Sequence, residues 1–291
     1  MSKRARANLL LLATAIIWGM SIVAQRVAMD NIGPFTFTGL RLVLGAVAVL
    51  PAVFLGEKPD ASRRRNTVIG GIACGLVLAA AQNMQQIGIA VTGNAGKSAF
   101  LSGLYMVVVP IGGLLLGKKT NLYTWVAVAV SAVGLYLISL SGDEGFSGGD
   151  WLLLLDACVW ACHILTIDHF SGKVEPIRMS ALQFLVGGGV SLLCAVLTED
   201  ISVPAIAAAG VPILYAGVLS TGLGFTFQLL GQRDAEPACS ALIMSLEAPV
   251  SVIGGILLLD EVITLRGGIG CLVILCGVLL SQGDLIFHKK A

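Results

Sequence analysis

"SAFLSGLYMVVVPIGGLLLG", residues 98–117, and "SALIMSLEAPVSVIGGILLL", residues 240–259, are two versions of one membrane-apolar segment, identical at nine of twenty positions. The second places Glu247 two residues before Pro249, in a run otherwise suited to lipid. A charge at bilayer depth is costly enough to be a functional-site hypothesis by default. The offset of 142 residues between the two segments extends over most of the chain without a gap. It sets Trp18 on Trp160, Pro34 on Pro176, Gly45 on Gly187, Gly75 on Gly217 and Gln86 on Gln228. Apolar residues match partly by chance because their alphabet is small, but paired Trp, Pro and Gln are harder to produce that way. The chain is therefore expected to be an internal duplication, with a first repeat over 1–143 and a second over 144–291.

Composition sets the solvent. Of 291 residues, 56% are hydrophobic, 12% are charged and 36 are glycine. That is too little charge to cover a soluble protein of this length. Apolar runs of about 20 residues recur, each able to cross a hydrocarbon core of ~30 Å. Ten spans are predicted, at 9–29, 35–55, 67–90, 97–117, 121–141, 150–170, 178–198, 208–231, 237–259 and 264–286. The first follows Lys3, Arg4 and Arg6 and imitates a signal peptide. Its apolar stretch runs on to Met29 and has a counterpart in mid-chain, so it is read as a retained span.

Five spans per repeat is an odd number, so the second repeat must enter the membrane in the opposite sense. The expected fold is an all-α integral membrane protein of ten transmembrane helices in two inverted five-helix repeats. With both termini cytoplasmic, fourteen Lys and Arg fall on the inner side and four on the outer: Arg26, Arg41, Lys97 and Arg266. That is a strong positive-inside bias. Lys118-Lys119 at an inner end also aligns with Asp260-Glu261 at an outer one. Inverted repeats characterise secondary transporters, whose site lies near the midplane between the halves.

Candidate site residues follow from polar groups at depth. On the first span Thr14, Trp18, Ser21 and Gln25 form one helical stripe; their counterparts are Asp156, Trp160, His163 and Ile167. Such a stripe faces protein or water rather than lipid, as cavity lining or as a hydrogen-bonded seam between helices. Gln82 and Gln86 sit in "QNMQQ" on the third span, and Gln228 lies on the eighth with Thr221 and Phe225. These amides can bind substrate or join helices. Pro110 frees the carbonyl of Met106, and Pro249 that of Ser245. Glu247 shares a face with Met244, and its repeat partner is Tyr105, so one site can present a carboxylate from one half and a phenol from the other.

At these residues the sequence resembles the drug/metabolite transporter superfamily, in its ten-span EamA-type branch. The likeness covers essentially the whole chain. It rests on the duplication, on "SAFLSGLYMVVVP", on "STGLGFTFQLLGQRDAEPACSALIMSLEAPVSVIGGILLLDE" and on "GCLVILCGVLL". The family's "S-L-E-P"-like segment maps to Ser245, Leu246, Glu247 and Pro249, with Ala248 inserted, and its "LGE" to Leu259-Asp260-Glu261. A "YLWP"-like stretch, associated with aromatic amino-acid exporters, is replaced by "LYMVVVP". The resemblance implies secondary transport of a small organic metabolite by alternating access, in a bacterial inner membrane.

The expected site comprises Trp18, Ser21, Gln82, Gln86, Tyr105, Trp160, His163, Thr221, Phe225, Gln228 and Met244 for substrate, with Glu247 for proton coupling. Aromatic faces and one acid suit an amine or amino acid. The expected partners are a small-molecule solute, the lipid bilayer and protons, for a monomer or homodimer. A net charge of +1 gives no sign of nucleic-acid binding. The seven cysteines lie in apolar segments without a CxxC pair, and no metal or cofactor is expected. The alternative, an integral-membrane enzyme acting on a lipid or peptide, lacks its motifs: there is no DDxxD, and no serine nucleophile is evident for His163.

Overall fold

Proline and short polar residues set where the helices begin. Pro34, Pro176 and Pro237 each open a helix, where a missing N–H costs nothing. Ser2 accepts from the Ala5 amide at 3.1 Å. Ser147 and Asp150 form a reciprocal capping box at the start of the second half. In the computed structural model, residues 2–55, 60–92, 95–139, 147–259 and 262–281 are described, and among them the chain is helical throughout, without strands. The helices are α1 (Lys3–Ala28), α2 (Pro34–Leu55), α3 (Ala61–Thr92), α4 (Ala95–Gly103), α5 (Tyr105–Leu115), α6 (Leu122–Ser139) and α7 (Gly148–Ser171). Then come α8 (Pro176–Thr198), α9 (Val203–Ala208), α10 (Gly210–Leu214), a π-helical stretch (Tyr215–Phe225), α11 (Thr226–Gln232), α12 (Pro237–Met244), α13 (Glu247–Leu259) and α14 (Leu265–Ser281).

Eight spans are long and apolar enough to cross a bilayer, and two shorter apolar helices, Leu122–Ile138 and Leu265–Ser281, stand at the fifth and tenth positions. The outward faces carry Leu9, Ile16, Val47, Leu76, Ile111, Leu193 and Leu257, all exposed, as a chain whose solvent is lipid requires. The proposed boundary at 143/144 lies outside the described residues. So do Lys58, Asp260, Glu261, Lys289, Lys290 and the side chain of Lys97.

Packing follows the duplication. The α2 helix packs on α8, its own counterpart, and α6 on α14, likewise its counterpart. The contact of α3 with α8 is repeated by the π stretch with α2, and that of α3 with α7 by the π stretch and α11 with α1. Glycines make these approaches possible. A Cβ on Gly75 would stand 2.9 Å from the Gln183 carbonyl and 2.7 Å from Val186 Cβ; one on Gly217 would stand 3.2 Å from the Arg41 carbonyl and 2.6 Å from Leu44 Cβ. The two sets of neighbours are themselves repeat counterparts.

Three features depart from ten plain helices. The fourth span breaks at Leu104 and the ninth at Ser245–Leu246, each two or more residues before the span's proline. The Ser245 carbonyl that Pro249 was expected to leave free instead accepts from the Ala248 amide at 3.2 Å, a tight turn, and Ser245 Oγ donates to the Leu242 carbonyl at 2.7 Å. The eighth span is π-wound over eleven residues, a winding that often marks functional positions because it turns carbonyls out of register. Finally, Arg41, counted above among outer-side charges, is 1% exposed. It stands about 10 Å into its helix from Pro34, at 1.5 Å per residue, and faces the protein interior.

Candidate functional site

The two helix breaks meet. Tyr105 is the first residue of α5 and Glu247 the first of α13. The Tyr105 hydroxyl donates to Glu247 Oε1 at 3.0 Å, and the two positions lie 142 residues apart, the repeat offset itself. The acid noticed in the sequence and its repeat partner are thus bonded to each other across the approximate twofold axis. A break at each position lets both side chains leave their helices toward the same point.

Around this pair lies a cavity lined by Trp18, Ile22, Gln25, Arg41, Gln82, Gln85, Tyr105, Trp160, Ile164, Ser220, Phe225 and Glu247. It holds about 20 Å³ for the centres of water molecules, room for a water or two. A small-molecule site ordinarily needs some 300 Å³ or more, so the walls stand close together in this conformation. Aromatic rings form one side. Trp160 stacks on Phe225 with ring centroids 5.9 Å apart and planes 11° from parallel. Trp18 lies 4.5 Å from Phe225 and 5.9 Å from its own counterpart Trp160.

The π stretch positions Trp18. Its Nε1–H donates to the Ser220 carbonyl at 3.2 Å, and Thr14 Oγ1 donates to the Gly224 carbonyl at 3.1 Å. The α1 stripe is therefore both things weighed for it, a seam at Thr14 and a cavity wall at Trp18 and Gln25. Elsewhere on the lining, Gln85 Nε2 donates to Ser102 Oγ at 3.0 Å, and Ser102 Oγ donates to Asp156 Oδ2 at 2.6 Å. A second buried acid is thereby joined to the cavity wall through one hydroxyl.

Of the expected residues, Trp18, Gln82, Tyr105, Trp160, Phe225 and Glu247 line the cavity. Ser21, Gln86, His163, Thr221, Gln228 and Met244 are buried in helix packing and do not line it. Gln86 Nε2 reaches the Gln25 carbonyl at 3.5 Å, and His163 Nε2 pairs with Gln183 Oε1 at 3.2 Å behind the aromatic wall. Thr221 packs its methyl where Gly45 leaves room. The candidate list missed Ile22, Gln25, Arg41, Gln85, Ile164 and Ser220. One signal pointed to some of them, since Ile22 and Ile164 are repeat counterparts one turn from the tryptophans; Arg41, counted with the outer-side charges, had none.

A model of the EamA-like transporter family matches the chain twice, over residues 5–140 and 147–282. The chain belongs to the EamA-like transporter family. It is 26% identical over 285 residues to the uncharacterized transporter YoaV of Bacillus subtilis strain 168, covering 93% of this chain and 94% of that one. It is 24% identical over 308 residues to a probable amino-acid metabolite efflux pump of Escherichia coli K12, covering 97% and 96%. To the uncharacterized inner membrane transporter YedA of the same strain it is 22% identical over 296 residues, covering 96% and 92%. A solved crystal structure superposes with a TM-score of 0.77 at 16% identity, over 98% of this chain and 99% of that one. As a member of this family the chain is a multi-pass membrane transporter for small molecules, and its relatives carry the names of transporters rather than of enzymes.

Proposed function

We propose that this EamA-family protein is a secondary transporter that moves a small organic solute by alternating access of the cavity between its two repeats. Glu247 carries the coupling proton. One observation carries this reading: the Tyr105–Glu247 hydrogen bond joins the breaks of two counterpart spans on the wall of the cavity. A carboxyl held by a phenol can take up a proton when solute leaves and release it when solute binds. The near-closed cavity fits a cycle in which each repeat in turn opens the site to one face. The aromatic wall suits an amine or amino acid, in keeping with the name of the Escherichia coli efflux pump. The proposed setting is a bacterial inner membrane with both termini in the cytoplasm, as monomer or homodimer.

The test is solute-induced current and internal pH in proteoliposomes, over a panel of amino acids, quaternary amines, nucleosides and sugars. At least one class should move protons through the wild type and none through Glu247→Gln. Unchanged coupling in that variant removes Glu247 from the cycle.

A further inference from the structure

The cavity holds a group that neither the proton cycle nor the aromatic wall uses. Arg41 is the bulkiest of the fully buried side chains and lines the cavity. Among the described residues its Nε and Nη2, the two nitrogens of one guanidinium edge, have no hydrogen-bond partner, and no acid lies within 4.0 Å. The Phe37 ring lies 5.2 Å from the guanidinium carbon and steadies it from its own helix. Buried arginine is ordinarily paired, because a lone guanidinium out of water is costly. The edge left unpaired is the one whose parallel N–H bonds match both oxygens of a carboxylate.

The fold does not require this charge. The repeat counterpart of Arg41 is Gln183, which stands on α8 where Arg41 stands on α2. The two backbone carbonyls receive Gly217 and Gly75 in the same way. Yet Gln183 is neutral, bonds to His163 and lies outside the cavity lining. One packing job is therefore done twice, and only the copy that faces the cavity carries a cation.

We propose that Arg41 is an anion subsite of the transport cavity, and that the solute carries a single carboxylate which the Nε–Nη2 edge binds with two parallel hydrogen bonds. The proposal rests on the transport reading above and names the chemistry of its cargo. Glu247 lies on the same wall system without touching Arg41, so the cavity has one charge of each sign at separate points. Such a site suits a molecule whose carboxylate meets Arg41 and whose cationic end meets Glu247 and the aromatic rings. One guanidinium balanced by one carboxyl matches a monoanionic group better than a phosphate dianion. Gln25 and Gln82 line the same space, each with an unpartnered side-chain oxygen. Their amides can turn N–H donors toward a bound carboxylate.

The experiment compares matched sets of ligands by calorimetry on the purified protein in detergent. Each set holds an amino acid, its amide and its decarboxylated amine: phenylalanine, phenylalaninamide and phenethylamine; leucine, leucinamide and isopentylamine. For at least one set the wild type should bind the acid roughly tenfold to a hundredfold more tightly than the amide, the scale of a charge-assisted hydrogen-bond pair. Arg41→Lys should keep the sign of that preference and shrink it. Arg41→Met should erase it while amide and amine still bind. No preference for the acid in any set, or a full preference surviving in Arg41→Met, overturns the subsite. Vesicle filling reports on the other reading separately. Acid-selective binding by a protein that fills no vesicle keeps the subsite and removes the proposed secondary-transport cycle; filling that ignores Arg41 does the reverse.

Discussion

The first and second halves of this protein share a backbone and differ in chemistry. Positions 142 apart do the same packing work: Gly75 and Gly217 admit counterpart carbonyls, and Trp18 and Trp160 lie side by side in the aromatic wall, their rings 5.9 Å apart. At the cavity Trp18/Trp160 and Ile22/Ile164 stay alike, and the polar side chains diverge. Tyr105 faces Glu247, Arg41 stands for Gln183, Gln25 for Ile167 and Gln82 for Gly224. The guanidinium and all three lining amides come from the first half, while the acid and the stacked Trp160–Phe225 pair come from the second. Duplication thus supplies a symmetric frame, and divergence supplies most of the polar lining from one half and an acid with a stacked aromatic pair from the other.

The most severe test of the shared frame is to fill its glycines. Gly75→Val and Gly217→Val each drive a side chain into a counterpart helix, and overpacking costs about 1–3 kcal/mol before backbones separate. Both variants should fail to give monodisperse protein on size-exclusion chromatography. A tolerated substitution in only one half would mean the two seams are not equivalent.

The divergence at the helix breaks comes next. Glu247→Gln should abolish solute accumulation driven by a pH gradient while leaving solute exchange. Tyr105→Phe, which removes one hydrogen bond to an ionisable group, should lower coupled transport about tenfold. Exchanging the residues, Tyr105→Glu with Glu247→Tyr, rebuilds the pair from opposite halves. It should restore coupling above the level of the Tyr105→Glu single variant; no restoration would show that the position of the acid matters more than the pairing.

Smaller effects should separate the two tryptophans. Trp18 is tied to the Ser220 carbonyl on another helix, whereas no bond of that kind to another helix holds the Trp160 indole N–H among the described residues. Trp18→Ala should lower the thermal midpoint more, and Trp160→Ala should weaken solute binding more in calorimetry. Equal losses of both kinds would erase the distinction. Smallest is Glu199, which accepts from the Phe35 and Thr36 amides at 2.8 Å and so caps α2, the helix that carries Arg41. Glu199→Gln should cost about 1 kcal/mol of stability, with transport retained.

Much of the frame was legible in the sequence, because apolar runs of bilayer length and a fixed repeat offset are local or periodic signals. They gave the ten spans, the duplication and the family. The cavity was legible in part, and repetition was not a sufficient guide to it: Gln82 and Phe225, whose counterparts differ, line it, and the identical pair Gln86 and Gln228 does not. Trp18, Trp160, Tyr105 and Glu247 are paired positions, and each lines the cavity. Ser21, Gln86, His163, Thr221, Gln228 and Met244 carried comparable polarity or shared a face with a marked residue, yet they are buried between helices. Helical periodicity says which residues share a stripe, but not whether a neighbouring helix or a cavity lies opposite it.

Arg41 shows the limit most clearly. Its place near the start of a span made it look like a membrane-edge charge, and only the packing of α2 against α8 and the π stretch turned it inward. The winding of that π stretch, which presents the Ser220 and Gly224 carbonyls to α1, left no mark in its residue pattern either. Hydrophobicity and repetition determined that this chain crosses the membrane as two related halves. Which polar groups face each other, and which of them face a cavity, depends on helix rotation and contact, and these were decided only when ten helices packed together.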